Sequence, residues 1–200
     1  MPREIVPEEL TGSAEVEGYA DVRSWGDGKS AALDASLAAA EGRWERVLCL
    51  GDLVDYGPDP NEVTDRVKAL DPVIIRGNHD KAVAGITDCE DFNPVAKIAA
   101  KWTREQLRPE SLAYISQLQP GPVSAENITL IHGSYHDEDE YVFVPGQAMG
   151  GLLDSPTEVA FFGQEPGDGG DAAAGGLFAA GEAADARGLA GDAFLEVDFA

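Results

Sequence analysis

The chain has 200 residues, of which 44% are hydrophobic and 26% are charged, so it is long enough to bury the core of one globular domain. Its 37 acidic and 14 basic residues give a formal net charge of −23, which repels nucleic-acid phosphates and argues against duplex binding. No apolar stretch is long enough to predict a membrane span, and the start MPREIVPEEL lacks a secretory signal pattern, so we expect a cytoplasmic protein.

Short apolar runs alternate with helix-forming segments along the chain. Strands are predicted at residues 47–50, 73–75, 128–131, 159–162 and 193–197. Helices are predicted at residues 31–41, 60–70 and 94–107, and from Pro109 to about Leu118. This alternation is typical of βαβ units and a parallel or mixed sheet, so the predicted fold class is α/β. Cys49 lies inside an apolar run and is expected to be a small core residue, with a disulfide the weaker alternative.

For two of the predicted helices, the sequence also predicts the capping or the buried face. Asp59 before Pro60, with Glu62 at the third helical position, predicts a capping box at the start of the helix over residues 60–70. In the helix over residues 94–107, a single face carries most of the bulky side chains and is expected to pack in the core. That face consists of Val95, Ile98, Ala99 and Trp102.

We expect residues 19–200 to form a single domain after a lead-in over residues 1–18 that shows little periodicity. The segment GQEPGDGGDAAAGG is glycine-rich and predicts a flexible loop, within a glycine- and alanine-rich stretch over residues 166–192. Acidic residues are spread along the whole chain, which fits either a salt-adapted cytoplasm or an ordinary acidic protein. No pattern in the sequence sets the oligomeric state.

Four predicted strands end in the same way, with a glycine and a polar side chain. The pairs are Gly51-Asp52, Gly77-Asn78, His132-Gly133 and Gly163-Gln164. Ligands bind at the carboxyl ends of the strands in an open α/β sheet, so we expect Asp52, Asn78 and His132 to converge there. A carboxylate, an amide oxygen and an imidazole together suit a divalent ion such as Mn²⁺, Fe²⁺ or Zn²⁺.

The segments GDLVDYGPDPNEV, RGNHD and LIHGS resemble the second, third and fourth motifs of the calcineurin-like metallophosphoesterases. FNPVAKIAAKWTREQL is similar to the linker helix of the prokaryotic subgroup related to diadenosine tetraphosphate hydrolases, and the likeness spans residues 44–163. The resemblance implies a four-layer α/β sandwich of two mixed β-sheets flanked by helices. It also implies metal-dependent hydrolysis of a small phosphomonoester or phosphodiester.

The resemblance implies a role for each matched residue. Asp52 matches the carboxylate that bridges two metals, and Asn78 and His132 match ligands of the second metal. His79 matches the histidine that protonates the leaving group or steadies the phosphoryl oxygens, and Asp80 matches the acid that orients His79. Asn78 and His79 are also expected to contact the substrate. Water bound to the ion is the expected nucleophile.

The first and last motifs of the family are altered here. Asp21-Val22-Arg23 stands where Asp-x-His is expected, and a gapless alignment offers Trp25 and Asp27 instead. Gly163-Gln164-Glu165-Pro166 replaces Gly-His-x-His, so Gln164 is at most a weak fourth ligand. We therefore expect one divalent ion rather than two. This pattern fits an impaired phosphoesterase. It also fits a diverged pseudophosphoesterase, which would bind a phosphate ligand or a partner protein, and it fits a damaged reading frame.

Simpler interpretations exist for each residue taken alone. Asp52 could cap a helix, Asn78 could be a turn residue and His79 a loop histidine. His132 could be a core histidine, and His136 lies in an acidic run that is expected to be a solvated loop. Because the motifs occur together, we prefer the metal-site interpretation for Asp52, Asn78, His79 and His132.

Gly28-Lys29-Ser30 suggests a nucleotide-binding P-loop, which belongs to a different functional class. That loop needs a further glycine five residues before Gly28, where Arg23 stands, and an apolar strand before it, which the sequence lacks. Nucleotide binding is therefore the third hypothesis, behind the phosphoesterase and the pseudophosphoesterase.

Overall fold

The computed structural model describes residues 20–21, 30–39, 46–142, 145–157, 159–166, 173–179 and 195–196. The predictions for residues 1–18, for Gly28-Lys29 and for most of the stretch 166–192 lie outside these ranges. Within the described ranges, no helix is both long and apolar enough to cross a membrane.

The first sheet contains three short strands of the described chain, all parallel and in the order β1-β2-β3. They are β1 (Ala20–Asp21), β2 (Val47–Cys49) and β3 (Val73–Ile74). The central strand β2 is buried along its length, as expected for a parallel strand covered on both faces, and it holds Cys49 in the core as predicted. The helices that accompany this sheet are α1 (Ser30–Ala39), α2 (Pro60–Ala69), α3 (Asn78–Ala84), α4 (Pro94–Gln106) and α5 (Pro109–Ile115).

The second sheet is mixed, and its described strands follow the order β4-β5-β6-β7-β8. They are β4 (Val123–Ala125), β5 (Ile128–Ile131), β6 (Val159–Pro166), β7 (Ala173–Ala179) and β8 (Leu195–Glu196). Of the strand pairs described in this second sheet, β5 and β6 are parallel and the other three are antiparallel. Helix α6 (Pro145–Asp154) packs on this sheet through Ala148 and Leu152, which share a buried cluster with Ile131 and Phe162. The result is the predicted pair of sheets flanked by helices.

The glycine-rich segment differs from its prediction as a flexible loop. Strand β6 continues through Pro166, and β7 begins at Ala173, so the described parts of the segment lie in an antiparallel strand pair. Pairing supplies every second residue with ladder hydrogen bonds, and this tertiary gain outweighs the low strand propensity of glycine. Helix α3, strand β4 and helix α6 were not predicted from the sequence.

The predicted capping box at Asp59 does not form. Asp59 is the N-cap residue of α2, but its side chain accepts no hydrogen bond from that helix. Its carboxylate instead accepts hydrogen bonds from the backbone N–H and the hydroxyl of Ser30, at 3.2 and 2.7 Å. Asp59 therefore caps α1, to which its own helix packs. A carboxylate at this helix start also disfavours phosphate binding next to Ser30.

Helix α4 begins where predicted, since the Asn93 side chain accepts hydrogen bonds from the backbone N–H groups of Val95 and Ala96. The prediction that its bulky face is buried is wrong. Val95 and Ile98 are 75% and 71% exposed, and Trp102 is 43% exposed. Small side chains face inward instead, with Ala100 and Thr103 buried.

Polar contacts explain this rotation of α4. The Thr103 hydroxyl donates to Asp55 Oδ1 at 3.4 Å, and Arg104 Nη1 donates to the Val83 carbonyl at 2.6 Å. Both contacts need the small-residue face of α4 to lie against α3 and the loop after β2. Hydrophobic periodicity contains no information about these contacts, so it selected the wrong face.

Paired substitutions test the orientation of α4. Ala100→Leu forces a larger side chain into a filled space and should lower the free energy of unfolding by about 1–3 kcal/mol. Ile98→Gln removes an exposed apolar side chain and should change it by no more than about 0.5 kcal/mol. Denaturant unfolding of both variants and the wild type measures the two effects. A larger loss from Ile98→Gln than from Ala100→Leu would show that the bulky face packs inward.

Candidate metal centre

The structure brings Asp52, Asn78 and His132 together, as the pattern of strand ends predicts. Asp52 follows β2, Asn78 opens α3 just after β3, and His132 directly follows β5. His132 Nε2 lies 3.2 Å from Asn78 Oδ1 and 3.5 Å from Asp52 Oδ1. All three residues are buried, with exposed fractions between 1% and 7%.

The protonation pattern of His132 follows from its second nitrogen. Its Nδ1 lies 2.6 Å from the carbonyl oxygen of Leu50, and a carbonyl can only accept, so Nδ1 carries a proton and donates it. In the neutral imidazole, Nε2 then bears a lone pair directed at two acceptor oxygens, those of Asp52 and Asn78. Three buried lone pairs facing one another repel unless a metal cation, or a proton on Nε2, lies between them.

The distances between these donors match those around a shared divalent ion. Bonds of about 2.1 Å place neighbouring ligands about 3.0 Å apart in octahedral and about 3.4 Å apart in tetrahedral coordination. The observed 3.2 Å lies within this range and the observed 3.5 Å lies just above it. A backbone carbonyl that fixes the other imidazole nitrogen is also the usual support of a metal-binding histidine. The donor set therefore fits a divalent ion.

The set is small. Within the part of the chain that the structure describes, no group of three or more His, Cys, Asp or Glu side chains is arranged to hold a metal. The third donor here is the amide oxygen of Asn78. The backbone of Asp21 ends β1 and pairs with Leu48. The described part of the chain does not include the side chains of Asp21 and Gln164, or the residues Arg23, Trp25 and Asp27. Those predictions stay untested.

Glycines allow the close approach of the donor-bearing segments. A Cβ atom on Gly77 would lie 2.7 Å from His132 Cε1 and closer still to Asp52 Oδ1. A Cβ atom on Gly163 would lie 2.9 Å from the Leu50 carbonyl and 3.1 Å from His132 Nδ1. Gly51 has φ +97°, and Asp52 itself has φ +53°, a conformation that Asp tolerates better than most residues.

His79 lies beside the three donors and is held at both ring nitrogens. Nδ1 donates to Asp55 Oδ2 at 2.6 Å, and Nε2 contacts the Tyr56 hydroxyl. The rings of Tyr56 and Phe92 lie 4.2 and 4.6 Å from the imidazole, centroid to centroid. Burial lowers the pKa of His79, but the hydrogen bond to Asp55 and the surrounding carboxylate charges raise it more, so its net pKa lies above the usual value. Relative to a free imidazole, these contacts shift His79 toward its protonated form, in which the ring can donate.

Asp80 does not orient His79, contrary to the prediction. Its carboxylate accepts hydrogen bonds from the backbone N–H groups of Gly77 and Val54, at 2.9 and 3.3 Å. It therefore joins the loop after β2 to the start of α3. Burial and the charge of Asp52 raise the pKa of Asp80 to about 7, against the lowering effect of these backbone N–H groups.

No role was predicted for Asp55, Tyr56 or Thr103. Asp55 lies within the segment GDLVDYGPDPNEV, three residues after Asp52, so the motif that resembles the family includes it. Its side chain is buried, and its φ of +101° is rare for a residue with a side chain. The role of Thr103 could not be predicted from local sequence, because its contact with Asp55 joins residues 48 positions apart.

Gly77→Ala tests whether the space between the donors is as narrow as the geometry indicates. The backbone of Gly77, with φ −101°, accepts alanine, so a destabilisation must come from the added Cβ atom. We expect the free energy of unfolding to fall by about 1–3 kcal/mol. Gly150→Ala in α6 is the control, since no heavy atom beyond its chain neighbours and the nearby backbone of α6 lies within 4 Å of the added Cβ. It should stabilise by about 0.5–1 kcal/mol. Equal stability of Gly77→Ala and wild type in denaturant unfolding would contradict the geometry.

Known proteins share both the sequence pattern and the fold. Over 88 residues the chain is 35% identical to the uncharacterized protein MJ0912 of Methanocaldococcus jannaschii, covering 44% of this chain and only 36% of that protein. The crystal structure of a metallophosphoesterase from Sphaerobacter thermophilus has a TM-score of 0.53 and 25% identity, covering 80% of this chain and 82% of that one. The hypothetical protein PH1004 from Pyrococcus horikoshii OT3 shares the fold, with a TM-score of 0.50 and 22% identity over 64% of this chain and 58% of that one.

The family profile of the calcineurin-like phosphoesterases matches residues 25–160, a span that includes each of the described donors and His79. The profile match, the two sheets and the structural likeness agree, and the chain belongs to the calcineurin-like phosphoesterases.

Proposed function

We propose that the protein hydrolyses a small phosphomonoester or phosphodiester with one divalent ion held by Asp52, Asn78 and His132. The family is one of metal-dependent phosphoesterases in general, which supports hydrolysis of phosphoric esters. The observation that carries the proposal is the approach of His132 Nε2 to the oxygens of Asn78 and Asp52, at 3.2 and 3.5 Å. Mn²⁺, Fe²⁺ and Zn²⁺ are the candidates, because the donors are mixed oxygen and nitrogen.

Each residue has a defined part in the proposed reaction. A divalent ion, when bound, neutralises charge on the phosphoryl oxygens and activates water for in-line attack. His79 holds the proton for the leaving group, and Asp55 fixes the ring by accepting from Nδ1. The backbone N–H of His79 donates to Asp52 Oδ1 at 3.0 Å, which couples the position of the proton donor to that of a metal ligand. Asn78 and His79 are the proposed substrate contacts.

The charge of the chain bears on how an anionic substrate is attracted. Arg76 and Lys81 flank the segment that carries Asn78 and His79, but both pair with Glu138. With a formal net charge of −23, the surface repels a phosphate group at long range. In the proposed enzyme, the metal ion and a protonated His79 therefore supply the positive charge that the substrate meets.

A pseudophosphoesterase is the second candidate, and the small donor set favours it. Among the described side chains, the candidate ligands that converge are Asp52, His132 and the amide of Asn78. Catalysis with two metal ions needs more ligands than these three. Such a protein would bind an ion and a phosphate ligand or a partner protein with little turnover. For either candidate we propose a cytoplasmic location. On the basis of the charge, we expect no duplex nucleic acid as partner.

Hydrolysis of bis(p-nitrophenyl) phosphate and p-nitrophenyl phosphate with added Mn²⁺ tests the proposal. We expect Mn²⁺-stimulated release of nitrophenol that falls by about 100-fold or more in Asp52→Asn and in His79→Ala. Asp91→Asn and His136→Ala, which change exposed side chains of the same types, are the matched controls and should keep the wild-type rate.

Binding data separate the two candidates. Mn²⁺ binding measured by calorimetry, together with no hydrolysis of either ester, would favour the pseudophosphoesterase. The absence of both binding and hydrolysis, or equal loss of activity in the control variants, would contradict the proposed metal centre.

Asp55→Asn tests the corrected assignment of the residue that orients His79. An amide can donate to Nδ1 and stabilise the wrong tautomer, so we expect kcat to fall by about 100-fold or more while the Kd for Mn²⁺ stays near that of the wild type. Steady-state kinetics and calorimetry provide the two measurements. An unchanged kcat in Asp55→Asn, with a large loss in a folded Asp80→Asn variant, would return the orienting role to Asp80.

A further inference from the structure

Glu138, which is not one of the three metal donors, pairs with two positively charged side chains. Glu138 accepts two hydrogen bonds from Arg76, Nε to Oε2 at 3.0 Å and Nη2 to Oε1 at 2.7 Å. Lys81 Nζ donates to the same Oε1 at 2.9 Å. The three side chains are only 12–18% exposed, so this is a desolvated cluster rather than a surface ion pair. We call these three residues the Glu138 cluster.

The position of the Glu138 cluster in the chain is specific. Arg76 lies two residues before Asn78 and Lys81 three residues after it, so one carboxylate ties both ends of the segment that carries a metal donor. Glu138 itself lies six residues after His132, which is another of the three metal donors. The cluster therefore links two donor-bearing segments that come from different sheets.

The loop between His132 and Glu138 is short and tightly folded, which makes the link stiff. The backbone N–H of Ser134 donates to the Asp137 carbonyl at 2.9 Å, and that of Asp137 donates to the Ser134 hydroxyl at 3.1 Å. A Cβ atom on Gly133 would lie within 2.7 Å of the carbonyl oxygens of Asp137 and Glu138. These contacts place the backbone of Glu138 against Gly133, next to His132.

The electrostatics of the Glu138 cluster agree with a strong interaction. Burial raises the pKa of Glu138, but the hydrogen bonds from Arg76 and Lys81 lower it more, so the net pKa lies below its usual value. The hydrogen bond to Glu138 raises the pKa of Arg76. In a chain with 14 basic residues against 37 acidic ones, two basic side chains converge on this carboxylate. Bidentate pairing with Arg also fixes direction as well as distance.

We propose that Glu138 is a positioning residue of the metal centre, which holds Asn78 at the correct distance from His132 by fixing Arg76 and Lys81. The inference rests on the proposed function, because it assigns Glu138 a role toward the ion. Residues that support metal ligands from outside typically change metal affinity by 10- to 100-fold when they are altered.

The test is the Kd for Mn²⁺, measured by calorimetry on the full chain at fixed ionic strength. Glu138→Gln should raise the Kd by about 10-fold or more. Asp139→Asn is the matched control, because it lies in the same loop, also pairs with Lys81 and loses the same charge, yet its side chain is 51% exposed. It should change the Kd by less than about 2-fold, since exposed ion pairs contribute little.

Two further variants separate positioning from charge and from folding. Glu138→Asp keeps the charge but shortens the side chain, so positioning predicts a higher Kd, whereas a pure charge effect predicts an unchanged one. If Glu138 acts through Arg76, the double variant Arg76→Gln with Glu138→Gln should lose no more affinity than the weaker-binding single variant. Thermal unfolding without metal identifies any variant that fails to fold, and Glu138→Asp then carries the test.

The outcomes are distinct. Wild-type affinity in folded Glu138→Gln or Glu138→Asp, or an equal loss in Asp139→Asn, overturns the positioning role while the proposed metal centre stands. Failure of the wild type itself to bind Mn²⁺ overturns the proposed function and this inference with it. A loss confined to the Glu138 and Arg76 variants supports both.

Discussion

The hydrogen bond from His132 Nδ1 to the Leu50 carbonyl is the contact on which the candidate site depends. Leu50 follows the central strand of the first sheet and His132 follows a strand of the second, so this single bond spans the two sheets. It also fixes the tautomer of His132 and turns the Nε2 lone pair toward Asp52 and Asn78. Gly163, whose backbone N–H donates to the His132 carbonyl at 3.1 Å, leaves room for this approach.

A second constraint is the number of carboxylates buried in one small region. Asp52, Asp55 and Asp80 all have exposed fractions of 6% or less, and each obtains compensation from a different group. Asp55 accepts from His79, and Asp80 accepts from backbone N–H groups. The raised pKa of Asp80 is consistent with incomplete compensation, because burial and then the negative charge of Asp52 both disfavour its ionised form. A bound cation near Asp52 would relieve that repulsion, which gives the buried acids a physical reason to be together.

Features that local sequence determines were predicted correctly, whereas features that tertiary contacts determine were not. Apolar runs that end in glycine and a polar residue correctly located Asp52, Asn78 and His132 at one place. The assignment of Asp80 to His79 failed because residues adjacent in a helix point in directions about 100° apart, so neighbours in sequence do not face each other. The residue that does meet His79, Asp55, comes from another segment. Strand β7 was missed because pairing with β6, rather than its own composition, makes it a strand.

The orientation of α4 connects the fold to the site. Its inner face presents Thr103 to Asp55, which in turn holds the ring of His79, so the rotation of a helix determines the surroundings of the proposed proton donor. Burying the bulky face would gain about 25 cal/mol for each Å² of apolar area, but it would turn Thr103 away from Asp55 and leave a buried carboxylate oxygen without that hydrogen bond. The exposed Val95 and Ile98 are then the consequence of an orientation set by polar contacts at the site. Hydrophobic pattern and polar geometry compete in this helix, and the polar geometry next to His79 prevails.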